Sequence, residues 1–167
     1  MRVQECSVPE GALLNAYVGR DGAYTDCFET AYAGQVDLPA FITAFYTTWL
    51  FRLERAVLSL ALRKKIHDSD VVALAQGRSE AFAIWTVEAR GSAEILLCDN
   101  AGTTRSYLAV AAQEDGTTRL IFGSAVVGRN TGQLPLLVRL ATPLHRLYSI
   151  GLLRLAARKV ELAATSA

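Results

Sequence analysis

Few side chains in this sequence are of a kind that does chemistry, and they lie far apart. There are two histidines, His67 and His145, and three cysteines, Cys6, Cys27 and Cys98. His145 stands in ATPLHRLYSIG (141–151), inside the longest apolar stretch and two residues after Pro143. An imidazole there has three possible employments. It can hydrogen-bond a backbone carbonyl or Asp26 and fix a kinked helix. It can orient a ligand, or act as general acid or base. The first comes before the others, because a buried, unpaired imidazole costs roughly 1–3 kcal/mol and needs a partner. His67, in a polar loop after three basic residues, reads as solvated.

The remaining chemical signals are negative. Asp26 and Glu29 share one strand with opposite parity, so they face opposite sides and form no carboxylate pair; each is expected to be an exposed acid. Ser92, Ser106 and Ser124 lack the GxSxG context of an activated serine. GRNTGQ (128–133) lacks phosphate-loop spacing. The histidines have neither HxxxH spacing nor a nearby cysteine, so neither a metal nor another cofactor is expected. An odd number of scattered cysteines without CxxC reads as reduced thiols in a cytoplasmic protein, not as a disulfide framework.

The large aromatic residues are candidates of a different sort. Phe45, Trp49, Trp85, Tyr107 and Phe122 can be plain core or the wall of a pocket, with His145 and Tyr148 as its polar groups. In AIWTVEAR, Glu88 and Arg90 facing water turn Trp85 and Val87 inward; Arg105 facing water carries Tyr107 outward with it.

These residues need elements to hold them. Ala12 to Val18 suggests one or two helical turns, and RDG (20–22) a turn. YTDCFETAYA (24–33) reads as a strand. Asp37 then caps an amphipathic helix with Pro39 in its first turn. Its stripe is Ile42, Phe45, Tyr46, Trp49, Leu53, Val57 and Leu60, with Thr47, Arg52, Glu54, Arg55 and Ser59 on other faces and Arg63, Lys64 and Lys65 at its end. HDSDVVALAQG reads as a short helix capped by Asp68 or Ser69 and closed by Gly77. Four short strands follow, separated by Gly91-Ser92, Asn100-Ala101-Gly102 and Asp115-Gly116, as in an antiparallel meander. A helical region from Leu134 to about Ala163 ends the pattern. Pro143 predicts a kink or break near 140–142, or a fresh helix capped by Thr142. Its stripe is Leu137, Leu140 or Ala141, Leu144, Tyr148, Leu152 and Leu155, with His145 at the edge beside Thr142 and Ser149.

The order β-α-α-β-β-β-β-α predicts an α+β fold, a curved antiparallel sheet wrapped around a long C-terminal helix. That helix alone is long enough to cover the sheet. At 167 residues, residues 1–167 are expected to form one domain that buries roughly 70% of its unfolded surface. The net charge of +1 offers no general attraction for nucleic acid. MRVQECSVPEG has no apolar core of a signal peptide. Arg139, Arg146 and Arg154 interrupt the best candidate for a membrane span, so no integral membrane segment is expected.

The element order resembles the helix-grip fold of the START-like (SRPBCC) superfamily, and more narrowly a family of uncharacterised bacterial proteins within it. DGAYTDCFET (21–30) is similar to that family's aspartate-bearing first strand, ATPLHRLYSIGLLRLAAR (141–158) to its last helix, and LALRKK to the charged end of its first helix. CDNAGTTRSY keeps an acidic turn residue, Asp99, but lacks the histidine of the family's middle hairpin. The resemblance implies a cavity between sheet and terminal helix, binding a small hydrophobic or amphipathic molecule. Phe45, Trp49, Trp85, Phe122, His145, Tyr148 and Asp26 are the candidate contacts. An enzyme using the same cavity, a module meeting a protein or membrane surface, and assembly into a homo-oligomer all stay open.

Overall fold

The computed structural model describes residues 2–62, 65–128 and 136–165. The side chains of Glu54, Val57, Ser59, Leu60 and 136–143, the pair Arg63-Lys64 and most of the GRNTGQ loop fall outside this description, with the expectations placed on them. The elements form a mixed α+β architecture around one seven-stranded, wholly antiparallel, open sheet in the order β1-β2-β7-β6-β5-β4-β3.

The four-strand meander is present as β4 (Trp85–Arg90), β5 (Glu94–Asp99), β6 (Thr104–Ala112) and β7 (Thr118–Val127). The expected first strand, here β2 (Ala23–Tyr32), pairs with β7 along its whole length, from Ala23 opposite Val127 to Tyr32 opposite Thr118. Two-residue strands β1 (Gln4–Glu5) and β3 (Ala81–Phe82) extend the two edges. Neither is long enough to show an alternating pattern.

The expected long first helix is two helices, α1 (Leu38–Tyr46) and α2 (Trp49–Leu62). Asp37 caps α1 as expected, its carboxylate accepting from Ala40 N–H at 2.8 Å. At the break, Thr48 Oγ1 accepts from Phe51 N–H at 3.2 Å and serves as the cap of α2. Lys159 of the last helix donates to the Thr47 carbonyl (2.9 Å) and hydroxyl (2.6 Å). The break resets the helical phase. Phe51 and Arg55 turn inward, while Trp49 and Leu53 are exposed. Buried Arg55 donates to Asp68 (2.7 Å) and to the Ile66 carbonyl (2.8 Å). Asp68 therefore bridges Arg55 and Arg52 and does not cap α3 (Asp68–Ala75). His67 holds the cap position, its N–H donating to Asp70 at 2.9 Å. Gly77 closes α3 with φ +67°, a conformation other side chains resist.

Helix α4 (Leu136–Thr165) runs without a break through Pro143. One backbone bond lost from so long a ladder leaves the turns on either side intact. Its buried face is Ser149, Leu152, Leu153, Ala156, Ala157 and Val160. The stripe is thus rotated from the expected one: Leu144 points out and His145 in. Small residues form half of this face, and a pattern of leucines does not reveal them.

The sheet is covered on both faces. On the front, α4 packs on β2, β7 and α1, α1 on β6, and α3 on β3, so the terminal helix shares the covering with its neighbours. On the back, a 3-10 turn (Leu13–Tyr17) inserts Leu14 and Tyr17 among Cys27, Leu96, Tyr107, Ala109, Ile121 and Ala125. Tyr107 does share the back face with Arg105, yet it is buried there. A bulge at Val87/Ala89 sends Glu88 to the back, toward Tyr17 and Arg105, and returns Arg90 to the front. Arg90 there donates to the Leu74 carbonyl at 2.7 Å, so it does not face water.

Candidate functional site

One rung of the sheet is polar beside an apolar rung of Phe28, Phe122 and Leu108 on the same face. Asp26 of β2 lies opposite Ser124 of β7, which lies opposite Ser106 of β6. All three point to the front, between a rung of Phe28, Phe122 and Leu108 and the helices above. Ser124 Oγ donates to Asp26 Oδ1 at 2.6 Å, and His145 Nε2 lies 2.9 Å from Ser124 Oγ. A hydroxyl has one proton, so with that proton on Asp26, Ser124 accepts from His145 Nε2–H. The same nitrogen stands 3.5 Å from Asp26 Oδ2, which makes no hydrogen bond among the described residues. At the other end of the rung, Ser106 Oγ meets Tyr46 OH at 2.8 Å. The Asp26 side chain is 1% exposed and so is not the solvated acid expected; that of His145 is 32% exposed.

The rung forms one wall of a cavity of about 280 Å³ roofed by His145, Tyr148 and Leu152 of α4. Phe45, Phe51, Ile84, Trp85 and Phe122 supply apolar lining, and Ser106, Ser124, Thr104, Asp99 and Arg105 polar lining. The Phe45 and Phe122 rings meet at 4.7 Å between centroids. The cavity thus brings together Phe45, Trp85, Phe122, His145 and Tyr148. Asp26 stands one layer behind, reached through Ser124. Trp49 is elsewhere, 65% exposed at the start of α2, because the Thr47-Thr48 break removes it from the inner stripe. The Nε1–H of Trp85 is buried with no hydrogen-bond partner among the described residues.

Phe51 is absent from the residues singled out in the sequence, Ser106 and Ser124 are read there only as unactivated serines, and Leu152 only as part of the α4 stripe. For Ser124 a signal did exist: a polar residue inside the apolar run LIFGSAVV, on a strand long enough to be buried on both faces.

Chemically, the group is a chain: His145 donates to Ser124, which donates to the Asp26 carboxylate. The serine proton is committed to the carboxylate and not to the imidazole, and Ser124 is buried, so it is not arranged as a nucleophile. His145 borders the cavity and can exchange a hydrogen bond or a proton with an occupant. Among the described residues no cluster of histidine, cysteine and acidic side chains could hold a metal ion. Nor is any helix among them long and apolar enough to cross a membrane.

A larger hollow of about 850 Å³ lies between α1 and the end of α4, lined by Tyr32, Val36, Pro39, Ala40, Ala44 and Val160 among others. It is an open groove whose polar lining, Gln35, Asp37, Thr43, Gln76 and Lys159, includes no buried side chain. The aromatic cavity has both enclosure and polarity, which is what recognition of a small molecule requires.

Comparison of the chain with protein-family models, with curated proteins and with solved structures finds no match.

Proposed function

We propose that this protein is a helix-grip binding protein of START-like type that holds a small amphipathic molecule between its sheet and α4. One observation carries the reading: the aromatic cavity is lined both by Ser124 and His145, which lead on to Asp26, and by Trp85, whose buried Nε1–H has no hydrogen-bond partner among the described residues. Aromatic walls favour an apolar body. A ligand hiding on the order of 150 Å² of apolar surface gains about 4 kcal/mol. A hydroxyl or carbonyl at its end accepts from Trp85, and a hydroxyl can also donate toward the serine–carboxylate wall. The element order supports the helix-grip assignment, and the smallness of the cavity favours a compact ligand over a long lipid chain.

The test is direct. Native mass spectrometry of freshly purified protein should show a bound small molecule, and should report subunit number as well. Fluorescence of Trp85, read in a Trp49→Phe background, should respond to benzyl alcohol more strongly than to toluene. His145→Ala should weaken benzyl alcohol about 5–10-fold and leave toluene unchanged. Equal affinities for the two compounds would remove the polar wall from the proposal. Should the protein prove to be an enzyme acting in this cavity, His145→Ala would abolish turnover while binding persists.

A second reading has its own observation. Trp49 and Leu53 on α2 and Leu144 and Leu147 on α4 are all exposed, and the two helices meet where Leu50 approaches Gly151. An apolar face of this kind suits an interaction surface. Vesicle co-sedimentation and sedimentation velocity, each repeated on Leu144→Ser/Leu147→Ser, separate a membrane from a second copy.

A further inference from the structure

The back of the sheet holds a pair of thiols that the cavity does not use. Gln4 lies opposite Glu29 and Glu5 opposite Phe28, so one step further on Cys6 faces Cys27. Cys6 N–H donates to the Cys27 carbonyl at 3.0 Å, which fixes that register. Directly opposed residues of a hydrogen-bonded pair have Cα atoms about 5.5 Å apart, within the span of a disulfide. Both side chains join the cluster around Leu14 and Tyr17, and both are free thiols. The three separate thiols expected from sequence spacing are therefore one pair and one single residue.

The two partners differ. Cys6 is half-buried, one residue past the edge strand β1; Cys27 is buried. The neighbouring Cys27 side chain pushes the Cys6 thiol down, helped by the Arg119 guanidinium, against burial and the Glu29 carboxylate. The neighbouring Cys6 side chain, with burial, pushes the Cys27 thiol up. The reachable sulfur thus leans toward thiolate beside a neighbour that keeps its proton, the arrangement that favours oxidation followed by resolution. Cys98, on β5, is pushed up by burial, and its S–H is directed at the Asp99 carbonyl.

We propose that Cys6 and Cys27 form an oxidation site that takes hydroperoxides, hydrogen peroxide being the simplest, and closes to a disulfide. The Cys6 thiolate attacks one peroxide oxygen. An S–O bond forms, the O–O bond breaks, and the departing hydroxide takes up the proton that Cys6 released. Cys6 is then a sulfenic acid. The Cys27 sulfur attacks it; the S–S bond forms, the S–O bond breaks, and the second hydroxide leaves as water with the Cys27 proton. Two thiols lose two electrons in total, and one peroxide becomes two waters. The bond closes a loop over residues 7–26, which contains the 3-10 turn, and ties that turn to β2. A loop of this length predicts a melting temperature raised by roughly 5–10 °C.

The experiment treats the reduced full chain with one equivalent of hydrogen peroxide, alkylates the remaining thiols and maps the peptides by mass spectrometry. The expected result is a Cys6–Cys27 cross-link, alkylated Cys98, and a melting temperature that rises and then falls back with dithiothreitol. In Cys27→Ser, Cys6 should stop at the sulfenic acid and be trapped by dimedone; Cys98→Ser should behave as the natural chain. Oxidation of Cys98 ahead of Cys6, or Cys6 reaching the sulfinic acid while Cys27 is alkylated, would overturn the proposal. A cross-link without any rise in melting temperature would overturn the fastening of the turn.

Discussion

Ser124 is the residue on which the candidate site depends, because among the described residues it alone satisfies one oxygen of a carboxylate that has almost no access to water. A hydrogen bond to a charged group is worth about 1.5–3 kcal/mol, and removing its donor leaves the charge buried. Ser124→Ala should therefore lower the unfolding free energy by that order, read as a lower urea midpoint with the slope unchanged. Asp26→Ala/Ser124→Ala should cost less than the sum of the single changes, since both remove one interaction. Asp68 allows a pH test. Burial alone would raise its carboxyl, but hydrogen bonds from Arg55 and Arg52 outweigh that and hold it below the usual range. A depressed carboxyl stabilises the fold above its unfolded pKa and ceases to as pH falls through the folded one. Asp68→Asn should thus cost about 1 kcal/mol at pH 7, a modest figure because the carboxylate is half exposed. The gap between variant and natural chain should stay constant down to about pH 5 and close below pH 4.

At the scale of elements, the break between α1 and α2 decides which aromatic residues can reach the cavity. Thr48→Ala removes the cap of α2 and should cost about 1 kcal/mol, measured by thermal unfolding. The same break shows where the sequence was legible. Strands β2 and β4–β7 announce themselves through alternation and turn residues such as Asp115-Gly116. The break itself hides, because apolar spacing from Phe45 to Trp49 continues smoothly across Thr47-Thr48. The rotation of α4 hides for another reason: Ser149, Ala156 and Ala157 are buried by being small, and leucine spacing weighs them at nothing. His145 was expected to find a partner, Asp26 among the candidates. Ser124 between them was not, because a cross-strand register cannot be read from a single strand.

For the whole molecule, the decisive fact is that the sheet has two cores. Gly123 shows how closely the back one is packed: a Cβ there would lie 2.5 Å from Leu14 Cδ2 and 3.1 Å from the Asp26 carbonyl. Gly123→Ala should destabilise by roughly 1–3 kcal/mol, and Leu14→Ala in the same chain should recover part of it. Tyr17 fastens the turn from the other end, through Glu88 and an Arg105 guanidinium 4.7 Å over its ring.

The backing of this sheet comes from a piece of chain with no helix or long strand of its own. A protease that nicks near Val18 would peel it away and leave Ile121, Leu96 and Tyr107 bare on a broad β surface. Purification tags and truncations near the first residues therefore carry a risk of clumping that an intact aromatic cavity on the opposite side would not reveal.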